Sequence, residues 1–590
     1  MIKPVPPASI FILGALLIPF LRGRLRQAYL LLVPVLAFFN LLSLTPGTTW
    51  KFHFLRYELI LTQVDRLNLA VGYIFVIIGF LALLYALHVK DDGQHMAAFL
   101  YMGSSSGAVF AGDFVSLFIF WEMMAISSVF LVWYRRNKES LEAGFRYLLM
   151  HLFGGSLLLT GLVIHILSEG TIAYAPLTNP WAYSFILAGF GLNAALIPLH
   201  TWLPDAYPLG TVTGSVFLSI FTTKTGVYVF ARFFPGDVFL GYMGGAMALY
   251  GVLFALLQND ARKLLSYHII SQLGYMIAGI GVGTSLGLNG SIAHLFNNNL
   301  FKPLLFMCMG SILYMTGKSK LTEMGGLARA MPITCLTCLI ASVSISGGPG
   351  FNGFVSKGMV ILAVSETHQA ILELMLRLAS VGTFLSFTKL CTFAFFGKGE
   401  KMEAKDPPLH MQLAMVATAF SCLLIGLYPK LLFNVLPYQP VDYHPYTFSH
   451  IVGVLQLFLL AGAVFKLAQR AFSPHEWIIL DFDYFYRVAF RNIGWFCAGP
   501  LHDLRLRMQA TFSKGVSYLS HLSRNPFSLS ETAMKYFAAQ GVGRTETSPA
   551  LGEREERGYD ENVYRKPMGL GVLIAILFLF LYGLIYFIKS

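Results

Sequence analysis

Residues 114–134 read FVSLFIFWEMMAISSVFLVWY, and Glu122 is the only charged residue in this stretch. The stretch is long enough to cross the hydrocarbon core of a bilayer, which takes about 20 apolar residues. A carboxylate at that depth costs about 3 kcal/mol on insertion scales, and it persists mainly where it faces a bundle interior or a water path. Lys224, within SVFLSIFTTKTGVYVFARFF (215–234), repeats the arrangement with the opposite charge. Together the two residues indicate a protein that moves protons or ions within a membrane.

The overall composition points to the same class of protein. Hydrophobic residues make up 56% of the 590 residues and charged residues only 12%, which excludes a soluble protein. We predict an all-α polytopic membrane protein with about fifteen transmembrane helices, including helices in flanking regions 1–95 and 401–472. The predicted spans, some of them short or merged, are 8–21, 28–44, 70–89, 96–111, 114–134, 147–168, 183–203, 211–233, 239–257, 264–284, 288–316, 331–346, 354–364, 372–396, 411–434, 448–472 and 568–588.

The formal net charge of +12 comes from basic residues in short loops between the predicted spans. This distribution follows the positive-inside rule and does not indicate a polyanionic ligand, so no nucleic acid is expected as a partner. If the spans alternate as predicted, these loops are cytoplasmic and the N-terminus lies outside. The chain is then an integral protein of a bacterial or archaeal plasma (inner) membrane, in contact with the lipid bilayer. The loop residues are Arg22, Arg24, Arg26, Arg135, Arg136, Lys138, Arg146, Arg262, Lys263, Lys318, Lys320 and Arg329.

Proline and glycine interrupt two of the predicted spans. The first interruption is AALIPLHTWLPDAYPLG (194–210), and the second is SISGGPGFNGFVSKG (344–358). Paired interruptions in the two halves of a transporter are typical of inverted repeats whose unwound backbone lines a polar cavity. We therefore predict repeats at about 96–233 and 239–396, within a core domain at 96–400. Ordinary proline kinks are the alternative explanation.

The C-terminal part of the chain has a different character. Residues 473–567 are polar enough to leave the membrane. Apolar residues from Leu501 to Leu522 recur every three or four positions, which predicts an amphipathic helix ending at Pro526. Its basic residues suit a helix on the membrane surface or a strut along neighbouring helices. Residues 568–590 are predicted to be a terminal transmembrane anchor.

Polar side chains recur inside the apolar spans, as a proton relay requires, because protons pass only between groups or waters within hydrogen-bond reach. A glutamate and a lysine whose separation varies can change each other's proton affinity and act as a switch. His294, Asn298 and Lys302 recur every fourth residue and therefore lie on one face of a helix. The candidate pathway residues are Glu122, Asn193, Lys224, His268, His294, Asn298, Lys302, Lys357 and Lys389.

Some of these residues also have structural explanations. Lys302 and Lys357 could cap an interrupted helix or lie near an interface, and His294 could bond across helices. Lys389 lies close enough to a helix end for its ammonium to reach the membrane surface. His200 and Asp205 are expected to fix the first interrupted helix. Cys335 and Cys338 form a CxxC within an apolar span without further soft ligands, so packing rather than a metal site is predicted.

Several of these residues stand in recognisable motifs. The set resembles the antiporter-like subunits shared by respiratory complex I, membrane-bound hydrogenases and Mrp-type cation/proton antiporters. The resemblance covers about residues 95–400, and FVSK with TKTGVY favours the D-type subunits of the Mrp antiporters. The motifs are FWE (120–122), IPLHTWLPDA (197–206), TTKTGVYVFAR (222–232), NDARKLLSYHIISQLGYM (259–276), HLFNNNLFKPLLF (294–306) and GFNGFVSK (350–357).

The resemblance implies a fold with two inverted five-helix repeats, each containing an interrupted helix. It implies that Glu122 is the glutamate of the fifth helix and that Lys224 is the lysine of the eighth. Lys302 and His294 correspond to the lysine and the first histidine of the eleventh helix, and Lys357 corresponds to the terminal carrier of the twelfth. The C-terminal part of the chain is similar to the lateral helix and anchor of some members.

The sequence departs from the family pattern at two positions. Members commonly have a lysine four residues before the first proline of the IPLHTWLPDA motif, and the nearest match here is Asn193, five residues before Pro198; Asn298 replaces the second histidine of the eleventh helix. Asparagine orients water but does not accept a proton near neutral pH. The resemblance therefore leaves open whether the first half of the chain still pumps.

The preferred interpretation is a proton-translocating, or cation/proton-translocating, subunit that works with other integral membrane subunits. The transported ion is H⁺, with Na⁺ as the second candidate. The alternatives are a non-pumping structural subunit and the energising membrane subunit of an inorganic-carbon uptake complex. No haem, flavin, iron–sulfur or nucleotide motif is found, so no cofactor is predicted. Membership of a proton-translocating oxidoreductase, of the NADH:quinone or hydrogenase type, stays open.

Overall fold

The computed structural model describes residues 5–54, 57–397, 404–475 and 479–524. The predicted anchor at 568–590 lies outside the described residues. Short 3₁₀ segments occur at Ile18–Phe20 and Tyr207–Leu209, and π-helical segments at Thr392–Phe396 and Cys497–Leu501. The α-helices are α1 (Pro7–Leu17), α2 (Gly23–Ser43), α3 (Arg66–Tyr85), α4 (Asp92–Phe110), α5 (Phe114–Trp133), α6 (Lys138–Glu169), α7 (Pro180–Asn193), α8 (Trp202–Ala206), α9 (Val212–Leu218), α10 (Thr222–Phe233), α11 (Val238–Leu257), α12 (Ala261–Val282), α13 (Ser285–Thr316), α14 (Leu327–Ala330), α15 (Pro332–Ser346), α16 (Asn352–Glu366), α17 (Ala370–Cys391), α18 (Leu409–Leu427), α19 (Lys430–Phe433), α20 (Phe448–Leu467), α21 (Asp483–Phe496) and α22 (His502–Arg524).

The helices confirm the prediction of a helical membrane protein. Within the described ranges, eight helices are long and apolar enough to cross a membrane: α2, α3, α5, α6, α11, α17 with its π-helical end, α18 and α20. Two shorter apolar helical segments, Pro7–Phe20 and Pro332–Ser346, add to these. The count of about fifteen spans and the inverted repeats stay predictions.

The all-α prediction is wrong between α2 and α3. Strands β1 (Thr49–Phe54) and β2 (Tyr57–Gln63) form an antiparallel hairpin there, with Phe52 opposite Leu59. The strands are rich in aromatic and β-branched residues, which suit a pleated surface. A residue outside the hairpin holds it in place: Ile60 N–H of β2 donates to the carboxylate of Asp113, just before α5, at 2.6 Å.

Helix starts are set by side chains in the loops. Asp113 accepts from Ser116 N–H at the start of α5, Asn137 accepts from Ser140 N–H at the start of α6, and Asp260 accepts from Lys263 N–H at the start of α12. Such N-caps satisfy backbone donors that a helix leaves unpaired, and each contributes about 1 kcal/mol. Polar residues of the loops thus mark where these helices begin.

Both predicted interruptions are confirmed. Helix α7 ends at Asn193 and the chain resumes helical structure at Trp202, while α15 ends at Ser346 and α16 begins at Asn352. Gly347 and Gly350 both have φ of +86°, a conformation that other residues rarely adopt. Asn297 of α13 donates to Asn352 O at 2.8 Å, so the unwound backbone of the second interruption is bonded to a neighbouring helix.

A third interruption contradicts the single helix predicted for 211–233. Helix α9 ends at Leu218 and α10 begins at Thr222, although no proline or glycine separates them. Tertiary contacts satisfy the freed backbone: Thr222 N–H donates to Tyr101 Oη at 2.9 Å, and Lys224 Nζ donates to Ser219 O at 2.6 Å. The break therefore depends on partners from α4 and α10, which periodicity does not reveal.

Helices α12 and α13 form the centre of the bundle. Helix α13 contacts α3, α9, α12, α15, α16 and α18, and α12 contacts α10, α11, α16 and α17. Nearly every residue of α12 and most residues of α13 are buried. A close approach of α11 and α12 depends on Gly274, where a Cβ would lie 2.4 Å from Ala248 N. Polar residues on these two helices are therefore enclosed by protein.

The chain divides into two compact units, Met1–Arg487 and Val488–Ser590. In the second unit the described part contains the end of α21, a π-helical segment and α22. Helix α22 confirms the helix predicted around Leu501–Leu522, and the side chains described for it are exposed.

Candidate functional site

Lys224 lies at the third interruption. Its side chain is fully buried, and Nζ donates to the Ser219 carbonyl that the break leaves without a helical partner. The hydroxyls of Thr223 and Thr225 are buried and have no hydrogen-bond partner among the described residues. The first turn of α10 is thus a polar site inside the bundle.

Lys302 and His268 both contact the aromatic ring of Phe387. Lys302 Nζ is 5.6 Å from the centroid of the Phe387 ring, and the His268 ring centroid is 4.6 Å from it. Both side chains are fully buried. In the described part of the chain, neither Lys302 Nζ nor either ring nitrogen of His268 has a hydrogen-bond partner.

His294 is fixed by two polar neighbours. Its Nε2 is 3.2 Å from Gln272 Oε1, and its Nδ1 is 3.0 Å from Ser356 Oγ. Because Gln272 Oε1 is an acceptor only, Nε2 of the neutral ring carries the hydrogen and Nδ1 accepts from the Ser356 hydroxyl. Gln272 lies one turn from His268 on α12, so α12 links the two histidines.

Tyr275 stands between His294 and Lys357. Its ring centroid is 5.8 Å from that of His294, and Lys357 Nζ is 4.7 Å from the same ring, within cation–π distance. The tyrosine hydroxyl donates to Leu376 O at 2.7 Å and lies 2.7 Å from Ser380 Oγ, so the ring is held in place. Lys357 Nζ is buried without a hydrogen-bond partner among the residues described.

A cavity of about 470 Å³ adjoins Lys357 between α16, α17 and α20. Ser380, Arg377, Tyr443 and His450 contribute to its lining, and exposed His444 lies at its rim. Polar and basic groups therefore extend from the buried lysine toward the protein surface.

The asparagines of α13 play different parts. Asn297 bonds to the second interruption, whereas both amide atoms of Asn298 are buried and lack partners within the described chain. His294, Asn298 and Lys302 are all buried, but α13 is enclosed on every side in this stretch. Burial alone therefore does not single out the predicted face.

Glu122 is half-buried on α5 and packs against α6. A Cβ at Gly155 would lie 1.9 Å from Glu122 Oε1, so the carboxylate rests directly on this glycine. Oε1 is buried and has no hydrogen-bond partner among the described residues. Lys224 Nζ donates instead to Ser219 O, and Glu122 Oε1 accepts from no described residue, Lys224 included.

Asn193 has a partner that the sequence analysis missed. His151 of α6 is buried, and its Nδ1 lies 2.8 Å from Asn193 Oδ1. The available signal was a histidine within the apolar span 147–168. Gln272, Tyr275 and Ser356 were also missed, because nothing in their spacing distinguishes them from packing residues.

Two other buried cations show how structural charges are satisfied in this protein. Lys389 Nζ donates to Leu256 O at 2.6 Å and to Gln258 O at 3.0 Å, which caps the C-terminal end of α11. Arg262 donates to Gly210 O and Thr211 O, each at 3.0 Å. The geometry of Lys389 is that of a helix cap.

Asp205 and His200 contact parts of the chain that hold the first interruption. Arg146 donates to Asp205 at 2.7 and 3.0 Å, and Arg487 Nη2 lies 3.7 Å from the same carboxylate. His200 Nε2 is 3.3 Å from Asp481 Oδ1. Both residues thus connect the segment after α7 to other elements, as expected for structural groups.

Asp481 is an acidic group outside the predicted spans, in the segment before α21. Tyr267 Oη donates to Asp481 Oδ2 at 2.5 Å, and Tyr250 Oη donates to Oδ1. Burial opposes ionisation of Asp481, but the neighbouring His200 ring and the two tyrosine hydroxyls lower its pKa to about 2. The carboxylate therefore anchors this segment to α11 and α12.

Known proteins resemble this chain in sequence and in fold. The family described as NADH:quinone oxidoreductase/Mrp antiporter, TM, matches residues 111–386. The Na(+)/H(+) antiporter subunit A1 of Staphylococcus haemolyticus is 27% identical over 485 residues, which cover 71% of this chain and 60% of that protein. The D-type subunit of the Na(+)/H(+) antiporter of Alkalihalophilus pseudofirmus is 30% identical over 326 residues, covering 52% and 66%. The chain thus spans only 60 to 66% of the length of these relatives.

A solved structure extends the likeness of fold. A chain of the membrane-bound sulfane sulfur reductase, an archaeal respiratory membrane complex, superposes with a TM-score of 0.69 at 23% identity. The superposition covers 91% of this chain and 99% of that one. With the motif set and the match of residues 111–386 to the NADH:quinone oxidoreductase/Mrp antiporter model, the conclusion is that the chain is an integral membrane protein of an antiporter-like subunit family.

Proposed function

We propose that the chain translocates protons, or exchanges cations for protons, as an antiporter-like membrane subunit of a multisubunit complex. The observation that carries the proposal is the contrast between two kinds of buried cation. The Lys389 ammonium donates to two backbone carbonyls, and Arg262 donates to two through Nη2, whereas Lys302 Nζ and Lys357 Nζ have no hydrogen-bond partner among the described residues. A buried charge without partners is costly, so its retention favours a role in carrying or releasing a proton.

The contacts support a route through the second half of the pathway. Lys302 and His268 share Phe387, while His294 and Lys357 share Tyr275. Water molecules would complete the steps that exceed hydrogen-bond length. The ion then leaves near Lys357 through the adjoining cavity.

Glu122 and Lys224 belong to the first half of the proposed pathway. Each is a charged group within a membrane helix; Glu122 Oε1 is buried without a partner in the described chain, and Lys224 is flanked in sequence by Thr223 and Thr225, whose buried hydroxyls also lack one. Lys224 also lies at unwound backbone, a typical setting for ion sites in transporters.

The relatives inform the choice of ion and partners. Their names describe Na(+)/H(+) antiporter subunits, which supports H⁺ as the translocated ion and Na⁺ as the exchanged one. The driving force would be an opposing ion gradient or redox chemistry in a partner subunit. The chain would accordingly work beside other integral membrane subunits.

The test compares two buried lysines that differ in their surroundings. The full chain is purified with the proteins that accompany it and reconstituted in liposomes containing a pH-sensitive dye. Under an imposed Na⁺ gradient or membrane potential, Lys302→Met should reduce proton flux at least tenfold while assembly is retained. Lys389→Met should lower thermal stability, yet the folded fraction should transport normally. Flux at the wild-type rate from Lys302→Met would refute the pathway.

A non-pumping structural subunit is the second candidate. It is favoured by Asn193, which cannot accept a proton, and by the absence of an ion pair between Glu122 and Lys224. Under this alternative, Lys302→Met and wild-type protein would give equal flux in the same vesicles.

A further inference from the structure

His151 is a buried titratable group with no role in the pathway described so far. The Tyr147 ring lies 4.2 Å from the His151 ring and the Trp202 ring lies 4.6 Å from it, measured between centroids. With Nδ1 bonded to Asn193 Oδ1, these contacts hold the ring in one orientation. Nε2 is buried without a partner in the part of the chain that is described.

The bond to Asn193 fixes which ring nitrogen is available. An amide oxygen only accepts hydrogen bonds, so Nδ1 of His151 carries a hydrogen. In the neutral ring Nε2 then has its lone pair free and can take up a proton. Asn193 therefore prepares His151 as a proton acceptor, although the amide cannot titrate.

Glu122 packs against the helix that carries this histidine. Its carboxylate rests on Gly155, which is four residues from His151 and on the same face of α6. The two positions are about 6 Å apart along the helix axis, and water molecules would join the side chains. Glu122 Oε1 and His151 Nε2 are both buried atoms lacking partners among the described residues.

Asn193 connects His151 to the helix that carries Lys224. Asn193 ends α7, and the next residue, Ala194, touches α10: a Cβ at Gly226 would lie 2.8 Å from Ala194 N. Lys224 precedes Gly226 by two residues, in the first turn of α10. His151 thus lies on the helix that Glu122 packs against, and its partner Asn193 adjoins the contact with α10.

We propose that His151 is a proton carrier between Glu122 and Lys224, with Asn193 as its positioning residue. The Glu122 carboxyl loses its proton to a bridging water as that water protonates Nε2, so one O–H bond breaks and one N–H bond forms. The imidazolium then releases the proton from Nε2 to a second water that replaces the first, and water passes it to the neutral amine of Lys224, so one N–H bond breaks and another forms. This inference rests on the proposed function and supplies a group that the first half otherwise lacks.

The test removes the titrating group at position 151 and then places another one at position 193, in the reconstituted complex. His151→Gln keeps a polar side chain of similar size but cannot be protonated, and it should reduce proton flux at least tenfold. Adding Asn193→Lys places an ammonium at the end of α7 beside the same position, and the double variant should recover at least a third of wild-type flux. If His151 had only a structural role, a lysine at position 193 would not restore proton flux.

His165→Gln is the matched control. His165 is also buried on α6, and both of its ring nitrogens lack partners among described residues, but it lies three to four turns from His151. The proton flux of the His165→Gln variant should equal that of the wild-type protein. Wild-type flux from His151→Gln, or no recovery in an assembled double variant, overturns the role of His151. Absence of flux from the wild-type complex would instead overturn the proposed function.

Discussion

Gly155→Ala should separate the position of the Glu122 carboxylate from the stability of the bundle. The added methyl group would lie 1.9 Å from Glu122 Oε1, where ordinary contact begins at 3.4 Å. The carboxylate must therefore withdraw by at least about 1.5 Å. The next atoms met by the methyl group also belong to Glu122, at 2.8 and 3.2 Å. The end of one flexible side chain takes up the whole displacement.

Gly155→Ala should maintain or slightly raise the stability of the protein and should lower its proton flux. Alanine is favoured over glycine inside a helix by about 0.5 to 1 kcal/mol, so unfolding of the variant should be unchanged or slightly harder. A shift of about 1 Å in a reacting group costs up to about 100-fold in rate. We expect proton flux to fall about 10- to 100-fold, approaching the complete loss expected for Glu122→Gln.

The assay is dye-monitored proton flux in liposomes, together with thermal unfolding of the detergent-solubilised complex. Gly154→Ala is the matched control, because its methyl group meets Leu192 at 3.2 Å and does not reach Glu122. Combining Gly155→Ala with Glu122→Asp shortens the acid by one methylene and should restore part of the flux. Wild-type flux from Gly155→Ala, with normal assembly, would refute the reasoning that the carboxylate must stay at the α5–α6 contact.

Two further predictions concern the segment after α20. Asp481→Asn should lower the free energy of unfolding by about 2 kcal/mol at neutral pH, because the pKa of this carboxyl falls from about 4 in the unfolded chain to about 2 in the folded one. The stabilisation is present above about pH 4 and is lost as the pH falls toward about 2. Thermal unfolding between pH 3 and 8 should show the wild-type protein and the variant becoming more similar in stability as the pH falls. A stability difference that does not change with pH would contradict the prediction. Deleting residues 474–590 should weaken assembly with neighbouring subunits, measured by co-purification; normal stoichiometry of every partner would exclude a strut.

The sequence by itself determined the class of protein and several of its landmarks. Long apolar runs have one stable outcome in a bilayer, a helix that satisfies its own backbone, so the helical membrane fold followed from composition. Gly347 and Gly350 require conformations that end a helix, so the second interruption was predictable. Charged residues at depth, such as Glu122, Lys224 and Lys302, could also be singled out, because their insertion is costly.

Tertiary structure decided what those residues contact. The break between α9 and α10 contains no proline or glycine, and its freed backbone groups are satisfied by Tyr101 of α4 and by Lys224, five residues after Ser219. Lys389 and Lys302 are both lysines within apolar spans, but only the former reaches two carbonyls at a helix end. The pairing of His151 with Asn193 joins residues 42 positions apart. Periodicity places a residue on a face of its own helix, whereas the partner of that face depends on how the helices pack.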